Sequence, residues 1–401
     1  MRASFLGRLR WPGRPWKPLT LTNPNFTRIP LHQQVEEERL PDYIASRYYP
    51  VRIGEALRDR YQIVGKLGFG TTSTVWLARD LESRKHVALK LFVNSESIGE
   101  HLDHELSIYK RISKSSTKHP GRDAVRELLD SFDVAGPDGC HRCLVHPPLN
   151  ESMLTFLHRN PVRRTTSASP RLHSPSSFPC VGFSTYGMPD HPYSVEDDSI
   201  FSDFEEQELV DPSPRKLVDG RIIYLSRKLR MPKTWGAPVL CDFGSAVPGD
   251  IEHTEDVQPD IYRATEVILE APWSYEVDIW NTGCMIWDLF EGGHLFTGRD
   301  PEYQSYRSRA HLAEMTALLG QPPQALLQSG KSSRKFFTDQ GDFRADIPFA
   351  ERISLEGKET SLEGESQRRF LTMMQKMLQW DPSKRSSAKA LAEDEWIMEH
   401  M

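Results

Sequence analysis

The stretch Leu67-Gly68-Phe69-Gly70-Thr71-Thr72-Ser73-Thr74-Val75 stands between two runs of β-forming residues. Glycines in a hairpin turn let backbone N–H groups approach phosphate oxygens where a Cβ would intrude. Ser73 occupies the place of a third glycine, and such a turn by itself also reads as a plain hairpin. Further on, Val87-Ala88-Leu89-Lys90 reads as a strand, and its period of two puts Ala88 and Lys90 on one face. A lysine facing inward from an apolar strand is costly unless paired. Glu105, beside the apolar stripe of the next helix, is the candidate partner; an exposed edge-strand lysine is the plainer alternative. In the second half, Asp242-Phe243-Gly244 follows the apolar Val239-Leu240-Cys241. A carboxylate there is either part of an ordinary turn or an oxygen donor for a hard divalent cation. Taken in order, these groups suit the chemistry of gripping a polyphosphate.

The elements that must position them follow from periodicity. Tyr61–Leu67, Thr74–Ala78 and Val87–Val93 are short β-branched or aromatic runs, which predicts three antiparallel strands. Ile98, Leu102, Leu106, Tyr109 and Ile112 recur at steps of four and three, which predicts an amphipathic helix. Val277–Phe290 is apolar nearly all round, the pattern of a helix buried on most sides. Further helices are expected over His311–Leu319 and Arg368–Leu378.

Between these halves the texture breaks. Residues 161–200 hold eight Ser and six Pro and carry neither period, and seven acids crowd the thirteen residues Glu196–Glu208. The whole of 161–235 therefore reads as a disordered acidic, Ser/Pro-rich insert of low order. The 401 residues suit two to three domains or one large two-lobed one. No run approaches the roughly 18 apolar residues of a membrane span. Five Cys make no disulfide framework and fit a reducing compartment. Residues 1–35 carry Arg2, Arg8, Arg10, Arg14, Lys17 and Arg28 and no acid, so with a total of −6 the rest of the chain carries −12. That charge argues against direct nucleic-acid binding and suits a basic partner. Residues 1–43, broken by prolines, read as a disordered basic arm, with a mitochondrial transit peptide as the second reading.

Three later stretches complete a pattern. Tyr262-Arg263-Ala264-Thr265-Glu266 resembles the end of a kinase activation segment, with Thr265 where Pro is usual. Asp278-Ile279-Trp280-Asn281-Thr282-Gly283-Cys284 resembles the central helix of a kinase large lobe, and Trp380-Asp381-Pro382-Ser383-Lys384-Arg385 its late Arg motif. With these, the chain resembles a eukaryotic protein kinase, and in particular the SR-protein kinase family of fungal type. The cues are Tyr49-Pro50-Val51-Arg52-Ile53-Gly54, Ser73-Thr74-Val75-Trp76-Leu77, Cys241-Asp242-Phe243-Gly244, and Thr254-Glu255-Asp256 to Tyr262-Arg263. The resemblance covers about 44–158 and 196–397.

It implies an α+β, two-lobed protein-kinase-like fold, with a sheet-rich small lobe at 44–149 and a helical large lobe at 150–397 interrupted by the insert. It implies ATP held by Leu67, Gly68, Gly70, Val75, Ala88 and Lys90, with Lys90 and Glu105 as the phosphate-positioning pair and Mg²⁺ on Asp242. It also implies a structural Glu266–Arg385 ion pair beside Asp278, Ser in Arg/Ser-rich splicing factors as acceptor, a monomer, and cytoplasm and nucleus as compartments.

The sequence departs from that family at one place. A loop of the form His-x-Asp-x-x-x-x-Asn supplies its catalytic base and second metal ligand, and none occurs between Leu157 and Asp242. His158-Arg159-Asn160 has Asn where Asp is needed, and Asp190-His191 has the wrong order. Neither role is carried over, so little or no phosphoryl transfer is expected. The helix that normally underlies that loop is missing too, which would leave Val277–Phe290 with exposed apolar surface. The alternatives are a pseudokinase-type ATP-binding or scaffold module for Arg/Ser-rich proteins, or the defective product of a misread exon. Lesser signals stay small. Cys140-His141-Arg142-Cys143 reads as ordinary thiols, since no second pair follows at zinc spacing. His294 and His311 read as surface or satisfied core. The Ser/Thr residues of 165–177 are a solvated loop or phosphorylation sites. Asp300 and Glu302 read equally as surface charge or as a dock for an Arg-rich peptide.

Overall fold

The computed structural model describes residues 14–94, 101–114, 120–152, 183–184, 192–195, 197–233, 235–344, 347 and 352–400. The expected helix start at Ile98, the Ser/Pro-rich stretch up to Glu196 apart from two short strands, and the 165–177 Ser/Thr cluster lie outside the described residues. The chain divides into two compact units. One comprises Met1–Leu102, Glu127–Asn150 and Ser194–Gly236, the other Asp103–Arg126, Glu151–Tyr193 and Ala237–Met401.

The first unit is built on a six-stranded antiparallel sheet of β1 (Ala56–Leu57), β2 (Tyr61–Phe69), β3 (Ser73–Asp80), β4 (Lys85–Asn94), β5 (Asp130–Gly136) and β6 (Gly139–His146), in the order β1-β2-β3-β4-β6-β5. The three strands read from β-branched and aromatic runs are β2, β3 and β4, each longer than the run that marked it. β3 and β4 pair in register, with Val75 opposite Lys90, Leu77 opposite Ala88 and Arg79 opposite His86. The period of two puts these six side chains on one face. The other face buries Trp76, Ala78, Leu89 and Leu91 in a core shared with Val51, Tyr61, Phe132 and Tyr224.

Two expectations about this unit fail. Residues 197–233 do not form a loop: Ser199–Val210 is a helix, α2, and Arg215–Val218 pairs with Arg221–Tyr224 as a hairpin, β7 and β8. Ile200, Phe201 and Phe204 of α2 are buried with Val64, Leu77 and Leu229, on the sheet face that carries Val75, Ala88 and Lys90. Gly65 permits this approach, because a Cβ there would lie 2.6 Å from the Phe204 ring. The acids that suggested a solvated run are internal partners instead. Glu205 lies 2.9 Å from Arg79 and 2.7 Å from His86, and buried Glu208 accepts from Ser213 and Arg227.

Nor is the basic arm loose from residue 14 on. Trp16 donates its N–H to Leu81 O and lies under the Arg79 guanidinium, and Gln62 exchanges two 2.8 Å hydrogen bonds with Leu19. Glu36 and Glu37 reach Lys66, whose side chain is fully buried, while Glu38 binds Lys216. The prolines break any longer helix, and the strap they leave takes its hydrogen bonds partly from the sheet unit and partly from itself, in the single 3-10 turns Glu36–Arg39 and Ala45–Arg47.

The second unit is helical. Helix α1 (His101–Lys114) belongs to it, followed by α3 (Glu276–Glu291), α4 (Ser308–Leu319), α5 (Gly364–Met377) and several one-turn helices. Val277, Trp280, Cys284 and Trp287 of α3 pack with Phe296, Met315, Phe370, Met373 and Met377 in one large core. The exposed apolar face expected of α3 is not present: Ile279 and Phe290 are partly buried against the same core. Gly283 lets α3 and α5 touch, since a Cβ would meet Met377 and Leu378 at 3.2 Å.

Candidate functional site

In the sheet unit, Leu67, Gly68 and Gly70 lie at the end of β2, and Val75, Ala88 and Lys90 on adjoining strands. Gly68 pairs with Val75, and Val75 with Lys90, so the glycine turn and the lysine are brought to one end of one sheet face. Register shifts at Ile63/Gly65 and Lys66/Gly68 twist β2 just before the turn. Ala88 is buried. Lys90 is half-buried, with its Nζ 5.1 Å from the Phe92 ring centre. A Cβ on Gly68 would meet nothing within 4 Å, so the approach to the turn there is open. Leu67 is half-buried and packs against the α2 cluster, a contact the sequence did not suggest.

In the helical unit, the segment before Asp242 is fixed by backbone pairing: Leu240 donates to Ala124 O at 2.6 Å and accepts from Arg126 N–H at 2.9 Å. Asp242 itself adopts φ 62°, ψ 66°, a left-handed conformation that a non-glycine residue holds only when its surroundings impose it. Phe243 provides that constraint. It is fully buried, edge-on to Tyr109 of α1 at 5.2 Å. His104 of the same helix lies 2.5 Å from Ala246 O. Burial and then the nearby Glu105 carboxylate hold the Tyr109 hydroxyl well above its usual pKa. Glu105 is buried, and the Cα of Gly244 sits where a Cβ would be 3.6 Å from both Glu105 Oε2 and Asp242 Oδ1. Thus α1 brings Glu105 and Asp242 to the same glycine. The turn is not an idle one, since it carries a strained Asp flanked by a buried aromatic anchor.

Away from this corner, Arg385 grips Glu266 through two parallel bonds of 2.6 and 2.7 Å, with both side chains essentially out of water. Arg385 also donates to Gln379 O and Glu276 O, and lies 5.1 Å from the Trp280 ring centre. Asp278 stands in the first turn of α3, half-buried.

Asp300 is not available to a peptide. It is fully buried, accepts from Arg309 at 2.5 and 3.0 Å, and that guanidinium lowers its pKa to about 2. Glu302 is drawn to the same Arg309 at 2.6 Å. Cys140 is exposed and Cys143 buried, so the pair does not converge, and no metal-binding cluster occurs among the described residues. His311 is satisfied core in part: burial drops its pKa to about 3, and Tyr306 Oη lies 3.2 Å from its Nδ1. His294 is held by Asp288 at 2.5 Å.

The residues present suit ATP and Mg²⁺. A glycine turn with open space beside it fits phosphate, and carboxylate oxygen is the donor a hard cation selects.

The protein kinase domain family matches residues 233–397. A serine/threonine protein kinase of Aspergillus fumigatus is 39% identical over 400 residues, covering 96% of this chain and 96% of that one. The serine/threonine-protein kinase SRPK of Physarum polycephalum is 28% identical over 393 residues, covering 88% and 89%. Among solved structures, the crystal structure of a kinase domain superposes with a TM-score of 0.66 at 20% identity, over 88% of this chain and 99% of that one, a likeness of fold.

Proposed function

The chain belongs to the serine/threonine protein kinase family, with SRPK-type relatives, and we propose that it binds ATP with Mg²⁺ while transferring phosphoryl groups weakly or not at all. In the sheet unit the glycine turn and the Lys90 ammonium, on the same sheet face as Val75 and Ala88, are the groups that suit phosphate charge. In the helical unit Asp242, which meets Glu105 at Gly244, is the oxygen donor suited to the cation. Bound Mg²⁺ would neutralise charge on the phosphates. The observation that carries this reading is the left-handed Asp242, locked by buried Phe243 and adjoining Glu105 through Gly244.

Transfer needs more than binding. It needs a group that accepts the hydroxyl proton and fixed charges around the moving phosphoryl. No residue of this sequence matches the family's base or its Asn. The likeness to SRPK supports Arg/Ser-rich proteins as the class that this chain engages. Asp300 and Glu302 are not offered as their dock, because Arg309 already occupies both.

Titration calorimetry with ATP, with and without Mg²⁺, on the full chain and on Lys90→Met and Asp242→Asn tests the reading. Mg²⁺-dependent binding that Asp242→Asn abolishes and Lys90→Met weakens at least about tenfold is the expected result, the loss of a charge-assisted contact being worth that much. Binding unaffected by either substitution would refute it. Radiolabel transfer to an Arg-Ser peptide should stay at the level of the Lys90→Met control; transfer clearly above it would show that a base is present after all.

A further inference from the structure

The glycine turn is held from outside by a residue that no motif marks. Tyr48 is buried at the end of the N-terminal strap, and its hydroxyl lies 3.3 Å from Gly70 O and 3.2 Å from Thr71 O. Its single proton is shared between two successive carbonyls. The next carbonyl, Thr72 O, accepts from Val93 N–H at 2.9 Å.

A planar trans peptide ties each carbonyl to the following N–H, with the two pointing in opposite directions. Drawing Gly70 O and Thr71 O toward Tyr48 therefore turns the N–H groups of Thr71 and Thr72 away from it. The strap residues after Tyr48 define which side that is. Val51 is buried, and Tyr49 and Ile53 are partly buried, against the core on the Trp76, Ala78, Leu89 and Leu91 face, opposite the face of Lys90 and Val75. Two consecutive amides directed to the Lys90 side make a concave donor pair suited to an anion.

Tyr48 is itself well fixed. Its backbone carbonyl accepts from Arg221 at 2.7 Å, its ring packs on Tyr43, and Ser46 O accepts from Asn94. Burial, reinforced by Glu37, pushes its hydroxyl to about 12, so it remains a donor at neutral pH.

We propose that Tyr48 is a positioning residue for phosphate recognition: through its hydroxyl it orients the Thr71 and Thr72 amides of the glycine turn toward the phosphates of a nucleoside triphosphate. The proposal rests on the nucleotide reading above and adds a residue to it. It predicts a loss confined to the phosphate part of the ligand.

The test compares the full-length protein with Tyr48→Phe, which keeps the buried ring, and with Tyr43→Phe as a neighbouring control. The ligands are MgATP and adenosine, measured by calorimetry. Tyr48→Phe should weaken MgATP by about three- to tenfold, the worth of one hydrogen bond, and leave adenosine unchanged. Tyr43→Phe should change neither. Equal MgATP affinity in Tyr48→Phe and the unaltered protein overturns the proposal, as does an equal loss for MgATP and adenosine, which would mark a merely structural role. If the unaltered protein binds neither ligand, the nucleotide reading fails instead. Hydrogen exchange at the Gly70–Thr72 amides then decides for Tyr48: faster exchange in Tyr48→Phe sustains the positioning role, and unchanged exchange overturns it.

Discussion

Among the described residues, each unit takes a basic side chain wholly out of water, and the two solutions differ. In the helical unit Arg385 meets Glu266 fork to fork, and its remaining donors reach Gln379 O and Glu276 O. In the sheet unit Lys66 is a point charge set between Glu36 and Glu37 of the strap, with Tyr224 O at 3.3 Å. The first pair joins two motifs that family resemblance pairs in advance. The second depends on a segment whose composition suggested no structure. Burying a charge demands a partner in either case, but only Arg imposes the partner's geometry, so only the first leaves a readable mark in sequence.

The sharpest way to break this comparison is to remove one partner from each pair. Glu266→Ala leaves a dry, unpaired guanidinium and should cost about 3–5 kcal/mol in urea unfolding. A cost below about 1 kcal/mol would mean that water reaches Arg385. Phe204→Ala tests the part of the sheet unit that the sequence misplaced. Emptying a fully enclosed ring site against Gly65 should cost about 3–5 kcal/mol, whereas a loop would lose almost nothing. Glu37→Gln should cost less, about 1–3 kcal/mol, because Glu36 remains 3.3 Å from Lys66. If deleting the strap's acids leaves the midpoint unmoved, the strap is not part of the fold's stability.

The smallest effect concerns pH. The hydrogen bond that Asp288 accepts from His294 raises the pKa of His294 in the fold, against the opposing effect of burial. A raised folded pKa means that the charged form stabilises the fold. That contribution is complete below the unfolded value of about 6.5 and is lost as pH rises through the folded value. Urea midpoints from about pH 6 to about pH 9 should therefore fall, and His294→Asn should flatten the decline. An unchanged slope in that variant would assign the decline to other groups.

Much of the fold was legible where pattern is local. Short β-branched and aromatic runs marked β2, β3 and β4, and the all-apolar run marked α3, since such runs need no distant partner to declare themselves. Helix α2 was legible too, in retrospect: Ile200, Phe201 and Phe204 form a stripe at helical steps. The acids around it outweighed that stripe, because composition assigns charge to solvent while Glu205 meets Arg79 and His86, remote in sequence, and Glu208 meets Ser213 and Arg227 beyond the helix end. The same blind spot misread Asp300, whose partner Arg309 lies nine residues on. At the candidate site the chemical groups themselves were readable, but not Tyr48, a tyrosine like any other until its hydroxyl is seen beside two carbonyls of the turn.

The sequence by itself determined the inventory: a glycine turn, Lys90, Glu105, Asp242, and the absence of any His-x-Asp-x-x-x-x-Asn loop. Those are facts of residue type and short spacing, set by covalent order. The tertiary structure alone decided which charges are spent on the fold and which remain for a ligand. That division depends on desolvation, and a carboxylate's surroundings are assembled from chain segments that covalent order does not bring together.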